Sequence, residues 1–289
     1  MNIMDSKLPR RSLIAMLPAL LTACSAVDLL NATVSTDTYR RTEGLAYGPH
    51  ARHRLDVYQP IQEVRQAPLV VFFYGGSWSA GERADYRFVG EALASVGIVT
   101  LVADYRLSPQ FRYPAFLQDS AQAVRWALDH APDHGADPAR VFVMGHSAGA
   151  YNAAMVALDR RWLAAQDLSP ARLAGWIGLA GPYDFLPIGD AQTRIAFDWP
   201  GTPADSQPLF HASQASPPAL LLAPALDNTV NPQRSTVAMA QRLKDRGVRV
   251  ESALYDSVSH VTLVAAMASV LRWRAPVLAR ISAFVQSTG

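Results

Sequence analysis

The sequence contains a single cysteine, Cys24, and only two lysines, Lys7 and Lys244. One cysteine can form neither a disulfide within the chain nor a cysteine-rich zinc site. Lys and Arg total 26 against 24 Asp and Glu, and the basic residues do not cluster into a stripe, so nucleic acid is not an expected partner. Half of the residues are hydrophobic and 17% are charged, which excludes a disordered or fibrous chain.

The N-terminal residues form a pattern typical of a targeting signal. Basic side chains in the stretch KLPRR precede an apolar run at residues 12–23, SLIAMLPALLTA. This run is too short for a membrane-spanning helix, which needs about 20 residues, but it suits the core of a signal peptide. It ends in Leu-Thr-Ala followed by Cys24, which resembles the lipobox of bacterial lipoproteins, where the signal is removed and the cysteine is acylated. We therefore predict a signal peptide at 1–23 and a lipid on Cys24.

A lipid on Cys24 predicts a protein held at a membrane of the bacterial cell envelope. Residue 25 is Ser rather than Asp, and the resemblance to lipoproteins then implies transfer to the outer membrane. Residues 24–45 are interpreted as a tether that leads into the domain. An ordinary signal cleaved nearby, with Cys24 incidental, is the alternative. Nothing in the sequence indicates an oligomeric state.

From residue 46 to residue 289, short apolar runs alternate with stretches of helical periodicity. Each run is nearly continuous in apolar residues, as expected for strands that are buried on both faces of a parallel sheet. The alternation predicts one α/β domain with a doubly wound, mostly parallel sheet. The predicted strands are 68–74, 98–103, 141–144, 173–179, 219–223 and 249–255, and the predicted helices are 115–131, 148–158, 235–246 and 261–285.

Residues 182–217 interrupt this alternation. They contain several prolines and glycines together with scattered aromatic residues. Connections of this length in a compact domain are usually functional, so we predict a short lid over a binding site. A plain surface insertion is the alternative.

The sequence Gly145-His146-Ser147-Ala148-Gly149 directly follows a predicted strand and opens a helix of small residues. The pattern G-x-S-x-G in this context is typical of a nucleophile elbow, a sharp turn that exposes the serine hydroxyl. The helix N-terminus favours negative charge that develops near Ser147. Ser147 is therefore the candidate nucleophile.

A serine hydroxyl needs a general base to become nucleophilic, and His260 is the best candidate. It follows the last predicted strand and precedes the last predicted helix. His146 lies inside the elbow, where the side chain beside the nucleophile usually points away, and His211 in segment 182–217 is the most serious rival. His50 and His53 precede the core strands. His130 and His134 lie at the end of a predicted helix on the far side of the sheet.

The base needs a carboxylate that fixes its tautomer and stabilises its charged form. Asp227 follows the predicted strand ALLLA, and the chain order Ser147, Asp227, His260 is that of α/β-hydrolases. Asp256 lies nearer to His260 in sequence, and Asp184 follows another predicted strand, so both are rivals. Asp227 is the preferred acid.

A tetrahedral intermediate also needs backbone N–H donors for its oxyanion. One is expected from Ala148, the residue after the nucleophile, and others from the loop that follows the strand PLVVFFY. That loop begins Tyr74-Gly75-Gly76-Ser77, and its glycines allow the backbone to face a substrate. An ordinary Gly-Gly turn is the alternative.

The chain resembles α/β-hydrolases of the HGGG-type carboxylesterase branch, and within it the feruloyl-esterase-like and arylformamidase-like bacterial enzymes. The resemblance spans roughly residues 55–285, and the motifs occur in family order. The matching segments are YGGSW at 74–78, DYRLSP at 104–109, YPAFLQD at 113–119, GHSAGA at 145–150, LDNTVNPQRS at 226–235 and SH at 259–260.

This resemblance implies catalytic Ser147, Asp227 and His260, with oxyanion donors at Gly76, Ser77 and Ala148. The chain departs from the family pattern at Tyr74, where histidine is usual, and at Ala225, near which glycine is frequent. Neither change removes a catalytic group.

The resemblance implies hydrolysis of small carboxylic esters through an acyl-enzyme, with no metal or cofactor. Arylformamide hydrolysis by the same machinery is one alternative. A non-catalytic surface protein built on the same fold is the other, because a fold alone does not establish a function.

Overall fold

The apolar runs assemble into one eight-stranded sheet in the computed structural model, which describes residues 26–288. The strand order is β1-β2-β4-β3-β5-β6-β7-β8, in which β2 is antiparallel to both neighbours and all other pairs are parallel. The strands are β1 (Tyr39–Ala46), β2 (Arg54–Pro60), β3 (Ala67–Phe73), β4 (Val99–Ala103), β5 (Ala136–His146), β6 (Gly175–Leu179), β7 (Ala219–Pro224) and β8 (Val250–Tyr255).

Helices cover the sheet and account for the burial of its central strands. Every residue of β3, β4, β6 and β7 is buried, as expected for parallel strands with helices on both faces. The helices are α1 (Ala26–Ala32), α2 (Arg87–Ala94), α3 (Ala115–His130), α4 (Ala148–Leu158), α5 (Arg160–Ala164), α6 (Ala191–Ala196), α7 (Ala238–Asp245), α8 (His260–Ala265) and α9 (Val277–Ser287). No helix within 26–288 is long and apolar enough to cross a membrane.

The predicted fold class is confirmed: the chain adopts an α/β-hydrolase fold with a doubly wound, mostly parallel sheet. All six predicted strands are present: five agree with the expected bounds within two residues, and β5 begins five residues earlier, at Ala136. The predicted helix at 261–285 is wrong, because it is two helices, α8 and α9. Helix α8 already ends at Ala265, and α9 starts anew after Pro276, at its N-terminus, where the missing N–H of proline is tolerated.

The tether predicted at 24–45 is also wrong over most of its length, because α1 in its first half bonds to the domain through Asn31 and its second half contains a strand. Residues 39–46 form β1, the edge strand of the sheet, which pairs with β2 through Tyr39 opposite Pro60 and Thr42 opposite Val57. Its sequence, YRRTEGLA, is mostly polar because only Tyr39 of the strand is buried, so it lacks the apolar run by which the other strands were found. The domain therefore begins before residue 46. The signal predicted at 1–23 and Cys24 lie outside the described residues.

The connections place the predicted site residues at one edge of the sheet. The loop with Gly76 follows β3, Ser147 follows β5, Asp227 follows β7, and His260 begins α8 after β8. These four strands are parallel, so their carboxyl ends meet at the same edge, where ligands bind in open α/β sheets.

Candidate active site

The turn at Ser147 has the backbone of a nucleophile elbow. Ser147 has φ +54° and ψ −122°, which side-chain-bearing residues rarely adopt, and it directly precedes α4. A Cβ atom at Gly145 would lie 2.1 Å from the carbonyl oxygen of Gly149, and one at Gly149 would lie 2.0 Å from that of Phe73. Both positions therefore require glycine, because the elbow, α4 and β3 pack backbone against backbone.

The three residues predicted from chain order form one hydrogen-bonded chain. The Nε2 atom of His260 lies 2.8 Å from Ser147 Oγ, and its Nδ1 atom lies 2.7 Å from Asp227 Oδ2. A carboxylate accepts from Nδ1–H, so Nε2 carries the lone pair that faces the serine hydroxyl. The geometry is that of a nucleophile, a general base and an orienting acid.

Asp227 is held by its own loop. Its side chain is almost fully buried, and its Oδ1 atom accepts from the backbone N–H groups of Thr229 at 2.8 Å and Val230 at 3.1 Å. These bonds stabilise the ionised carboxylate and leave Oδ2 directed at His260.

The rival residues are engaged elsewhere or point away. Asp184 pairs with Arg234 at 3.0 Å, and Asp256 is exposed. His211 bonds through Nε2 to a backbone carbonyl oxygen at 2.6 Å, and His53 bonds to Asp119 at 3.0 Å. Within the described chain, the structure therefore brings only Asp227 and His260 to the serine.

His146 is a residue whose contribution the sequence reasoning missed. It is buried beside His260 with ring centroids 5.1 Å apart, and its Nε2–H donates to the main-chain carbonyl oxygen of His260 at 2.9 Å. Burial, helped by the nearby His260, lowers the pKa of His146 to about 3, so the ring stays neutral. Only its place before the nucleophile could have drawn attention to it, since one sequence does not show which way its ring points.

The predicted oxyanion donors line the same cavities as Ser147, in the loop after β3 and at the start of α4. Gly76 has φ +126° and Ser77 has φ +50°, and the Gly76 carbonyl oxygen accepts from Ser79 N at 2.9 Å and Ala80 N at 3.0 Å. This turn leaves the N–H groups of Gly76 and Ser77 without a protein acceptor among residues 26–288. Ala148 is the first residue of α4, where an N–H has no partner within its helix.

Tyr74 lies beneath this loop rather than in the site. It is fully buried, its hydroxyl donates to Asp104 Oδ1 at 2.9 Å, and it accepts from Arg52 at 2.6 Å. Arg52 also donates to the carbonyl oxygen of Gly81 at 2.9 Å, and Tyr105 donates to that of Tyr74 at 2.7 Å. Burial and the negative charge of Asp104 raise the pKa of Tyr74 well above its usual value, so its hydroxyl stays a donor. Both ends of the loop 75–81 are therefore tied to one buried cluster.

Two cavities meet at Ser147. The first, here the insertion cavity, has a volume of about 490 Å³, and the second, the α1 cavity, has about 400 Å³. The insertion cavity is lined by Ser77, Trp78, Ser147, Ala148, Asn228, Thr229, Val230 and, from segment 182–217, by Pro182, Phe185, Ile188, Gly189, Asp190 and Thr193. The α1 cavity is lined by Val27, Leu30, Gly75, Gly76, Ser77, Gly81, Tyr86, Phe88, His146, Ser147, Thr229, His260, Val261, Val264 and Ala265.

The segment predicted as a lid thus forms one wall of the site. Within the part of the chain that the structure describes, no group of three His, Cys, Asp or Glu side chains is arranged to hold a metal ion.

Comparison with known proteins shows similarity to esterases. The BD-FAE family model matches residues 55–243. The chain is 25% identical over 241 residues to a probable isoprenylcysteine α-carbonyl methylesterase of Arabidopsis thaliana, covering 76% of this chain and 50% of that one. It is 41% identical over 103 residues to a carboxylesterase of Mycobacterium tuberculosis, covering 35% and 32% of the two chains.

Among solved structures, a Pyrobaculum calidifontis esterase superposes with a TM-score of 0.74 at 24% identity, covering 90% of this chain and 89% of that one. A truncated carbohydrate esterase from gut microbiota superposes with a TM-score of 0.75 at 17% identity, covering 88% and 98%. At these identities the superpositions show a shared fold. The chain spans about half the length of the plant relatives that it matches.

Proposed function

This chain belongs to the BD-FAE family of α/β-hydrolases, and from this premise we propose that it hydrolyses carboxylic esters through a covalent acyl-enzyme. The observation that carries the proposal is the hydrogen-bonded chain from Ser147 through His260 to Asp227. The names of the relatives, which are carboxylesterases and methylesterases, support the same reaction.

In the proposed first step, Ser147 Oγ attacks the ester carbonyl carbon while His260 Nε2 accepts its proton. Asp227 stabilises the imidazolium that forms. His260 then gives the proton to the departing alkoxide, which leaves as an alcohol. In the second half, His260 activates a water that attacks the acyl-enzyme and releases the acid.

The carbonyl oxygen becomes negative in both halves of the reaction. We propose that the N–H groups of Gly76, Ser77 and Ala148 receive it, and in support none of the three donates to an acceptor in the described protein. One such donor contributes about 3–4 kcal/mol to stabilising the transition state in hydrolases of this type.

The test is hydrolysis of p-nitrophenyl esters of graded chain length, with Ser147→Ala as the control. We expect turnover by the wild type and a loss of about 10³-fold or more in kcat in the variant, which keeps its thermal melting temperature. An organophosphate should label the wild type once, at Ser147. Turnover that survives in Ser147→Ala, or a well-folded wild type that cleaves no ester, would contradict the proposal.

We also propose that the enzyme belongs to the feruloyl-esterase-like and arylformamidase-like branch and that its natural substrates are of the kinds these enzymes hydrolyse. The motifs YGGSW, DYRLSP and GHSAGA support this assignment. Methyl ferulate and N-formylkynurenine, added to the same panel, distinguish an ester from an arylformamide as the preferred substrate.

For location, we propose an enzyme anchored in the bacterial cell envelope, at the outer membrane, by a lipid on Cys24. The support is the sequence alone: an apolar signal core at 12–23 and the only cysteine of the chain at the position that acylation requires.

A further inference from the structure

We propose that the α1 cavity receives the alcohol half of the ester, and that it selects uncharged, apolar alcohols. The inference rests on the proposed ester hydrolysis and adds the side on which each half of the substrate lies. Both cavities contain Ser77 and Ser147, so an ester whose carbonyl carbon lies at Ser147 extends into both.

The path of the proton decides which half lies on which side. As the C–O bond to the alcohol breaks, the proton taken from Ser147 Oγ passes from His260 Nε2 to the departing oxygen. That oxygen must lie within about 2.6–3.2 Å of Nε2. Among the described residues that line the two cavities, His260 borders only the α1 cavity. The alcohol therefore occupies the α1 cavity, and the acyl group occupies the insertion cavity.

The wall of the α1 cavity is apolar. Phe88 and Val264 are almost fully buried in it, and Val27 and Leu30 close it from the side of α1. Its described lining includes no Asp, Glu, Lys or Arg, and His146 is neutral. Burial of an apolar alcohol against this wall is favourable, whereas a charged alcohol loses its hydration and meets no oppositely charged side chain in the described lining.

The insertion cavity differs in its chemistry. Trp78 and Phe185 form apolar faces, but the cavity also contains the carboxylate of Asp190 and the side chains of Thr193 and Asn228. Asp190 already accepts from the backbone and hydroxyl of Thr193, both at 2.7 Å. Polar groups on the acyl half of a substrate therefore find partners here that the α1 cavity lacks.

Helix α1 is held in place as the outer wall. The side-chain amide of Asn31 donates to the carbonyl oxygens of Ala84 at 3.0 Å and Asp85 at 3.1 Å, and its oxygen accepts from Phe88 N at 3.2 Å. These bonds join α1 to the turn that precedes α2 and to Phe88 in the first turn of α2. The cavity therefore has a fixed wall that can limit the size of the alcohol.

Two isomeric esters test the assignment, because pentyl acetate and methyl hexanoate place the same chain on opposite sides of the carbonyl. The matched variants are Val261→Trp, which narrows the α1 cavity, and Val230→Trp, which narrows the insertion cavity. Both valines are at least partly exposed, so a larger side chain can be accommodated. The quantity measured is kcat/KM for pentyl acetate divided by kcat/KM for methyl hexanoate.

We expect Val261→Trp to lower this ratio by about tenfold or more and Val230→Trp to raise it. Changes in the opposite directions, or a ratio that neither variant moves, would overturn the assignment while leaving ester hydrolysis intact. A wild type that cleaves neither ester overturns the proposed function together with the assignment.

The polarity of the α1 cavity has its own test. Acetylcholine and 3,3-dimethylbutyl acetate have alcohols of the same shape, but only the first is charged. We expect the wild type to have a kcat/KM at least about tenfold higher for the neutral ester. Equal rates, or a preference for the charged ester, would overturn the selection of apolar alcohols.

Discussion

The imidazole of His146, the residue before the nucleophile, donates from Nε2 to the main-chain carbonyl oxygen of His260 at 2.9 Å. The contact joins the elbow after β5 to the first residue of α8, which lies 114 residues further along the chain. It fixes the backbone of His260, while Asp227 fixes its ring. His146 is thus a positioning residue that acts through His260.

The first prediction concerns acid stability at His146. Its pKa is about 3 in the folded protein and about 6.5 when unfolded, so between these values only the unfolded chain takes up the proton. The stability is therefore present above pH 6.5 and is lost as the pH falls towards 3, by up to about 1.4 kcal/mol per pH unit from this group. Urea unfolding of wild type and His146→Gln from pH 4 to 8 should show a shallower loss in the variant, which keeps an N–H donor but cannot titrate.

His146→Phe separates the hydrogen bond from the titration. It also removes the titratable group, but it leaves the carbonyl oxygen of His260 without its donor. We expect a lower kcat in His146→Phe than in His146→Gln, with similar KM values. Identical pH–stability curves for wild type and His146→Gln would contradict the assigned pKa.

The second prediction assigns the acid. Asp227→Asn should reduce kcat by about 10³- to 10⁴-fold, because an amide at this position no longer holds the proton on His260 Nδ1. Asp184→Asn and Asp256→Asn are matched controls, since Asp184 pairs with Arg234 and Asp256 is exposed. Steady-state kinetics of the three variants decide the matter. A large loss in either control, with Asp227→Asn near the wild-type rate, would show that the acid is misassigned.

The sequence predicted the central fold well because buried parallel strands are continuous apolar runs, and a run such as PLVVFFY has the length and the β-branched and aromatic residues of a strand. Ser147 could be found because the elbow needs glycine at two fixed positions around it. Strand β1 could not be found, since an exposed edge strand lacks that pattern. The role of His146 and the hydrogen bonds by which Asn31 connects α1 to the domain depend on contacts between segments far apart in the chain. A single sequence does not show such contacts.

The third prediction concerns Tyr74. Its ring stacks between Tyr86 and Tyr105, with centroids 5.6 and 4.8 Å away, so Tyr74→Ala would open a buried void and destabilise the fold by about 3–5 kcal/mol. Tyr74→Phe is the sharper variant because it removes only the hydroxyl that contacts Asp104 and Arg52. We expect a fall in kcat of about 10- to 100-fold with little change in KM, because a displaced oxyanion donor acts in the transition state.

Tyr74→His, which restores the residue usual in the resembling family, should keep more activity than Tyr74→Ala. A change in KM and acyl-chain preference at constant kcat would instead mean that the ring borders the bound substrate. That outcome would overturn the bracing of the loop 75–81 by Tyr74.

The fourth prediction concerns the lipid on Cys24. Cys24→Ser removes the thiol that would be acylated, so the protein should move from the membrane fraction to a soluble or uncleaved form. Its kcat/KM for a water-soluble ester should stay at the wild-type value, because Ser147, Asp227 and His260 all lie within the described domain. Mass spectrometry of the mature N-terminus is the direct measurement: it should show residue 24 first, carrying acyl chains. The lipid-bearing residue would lie only two residues before Ala26, where α1 begins. Because α1 lines the α1 cavity, the anchor would hold this cavity near the membrane. An unmodified Cys24, or a mature chain that starts elsewhere, would remove the basis for placing the enzyme at the membrane.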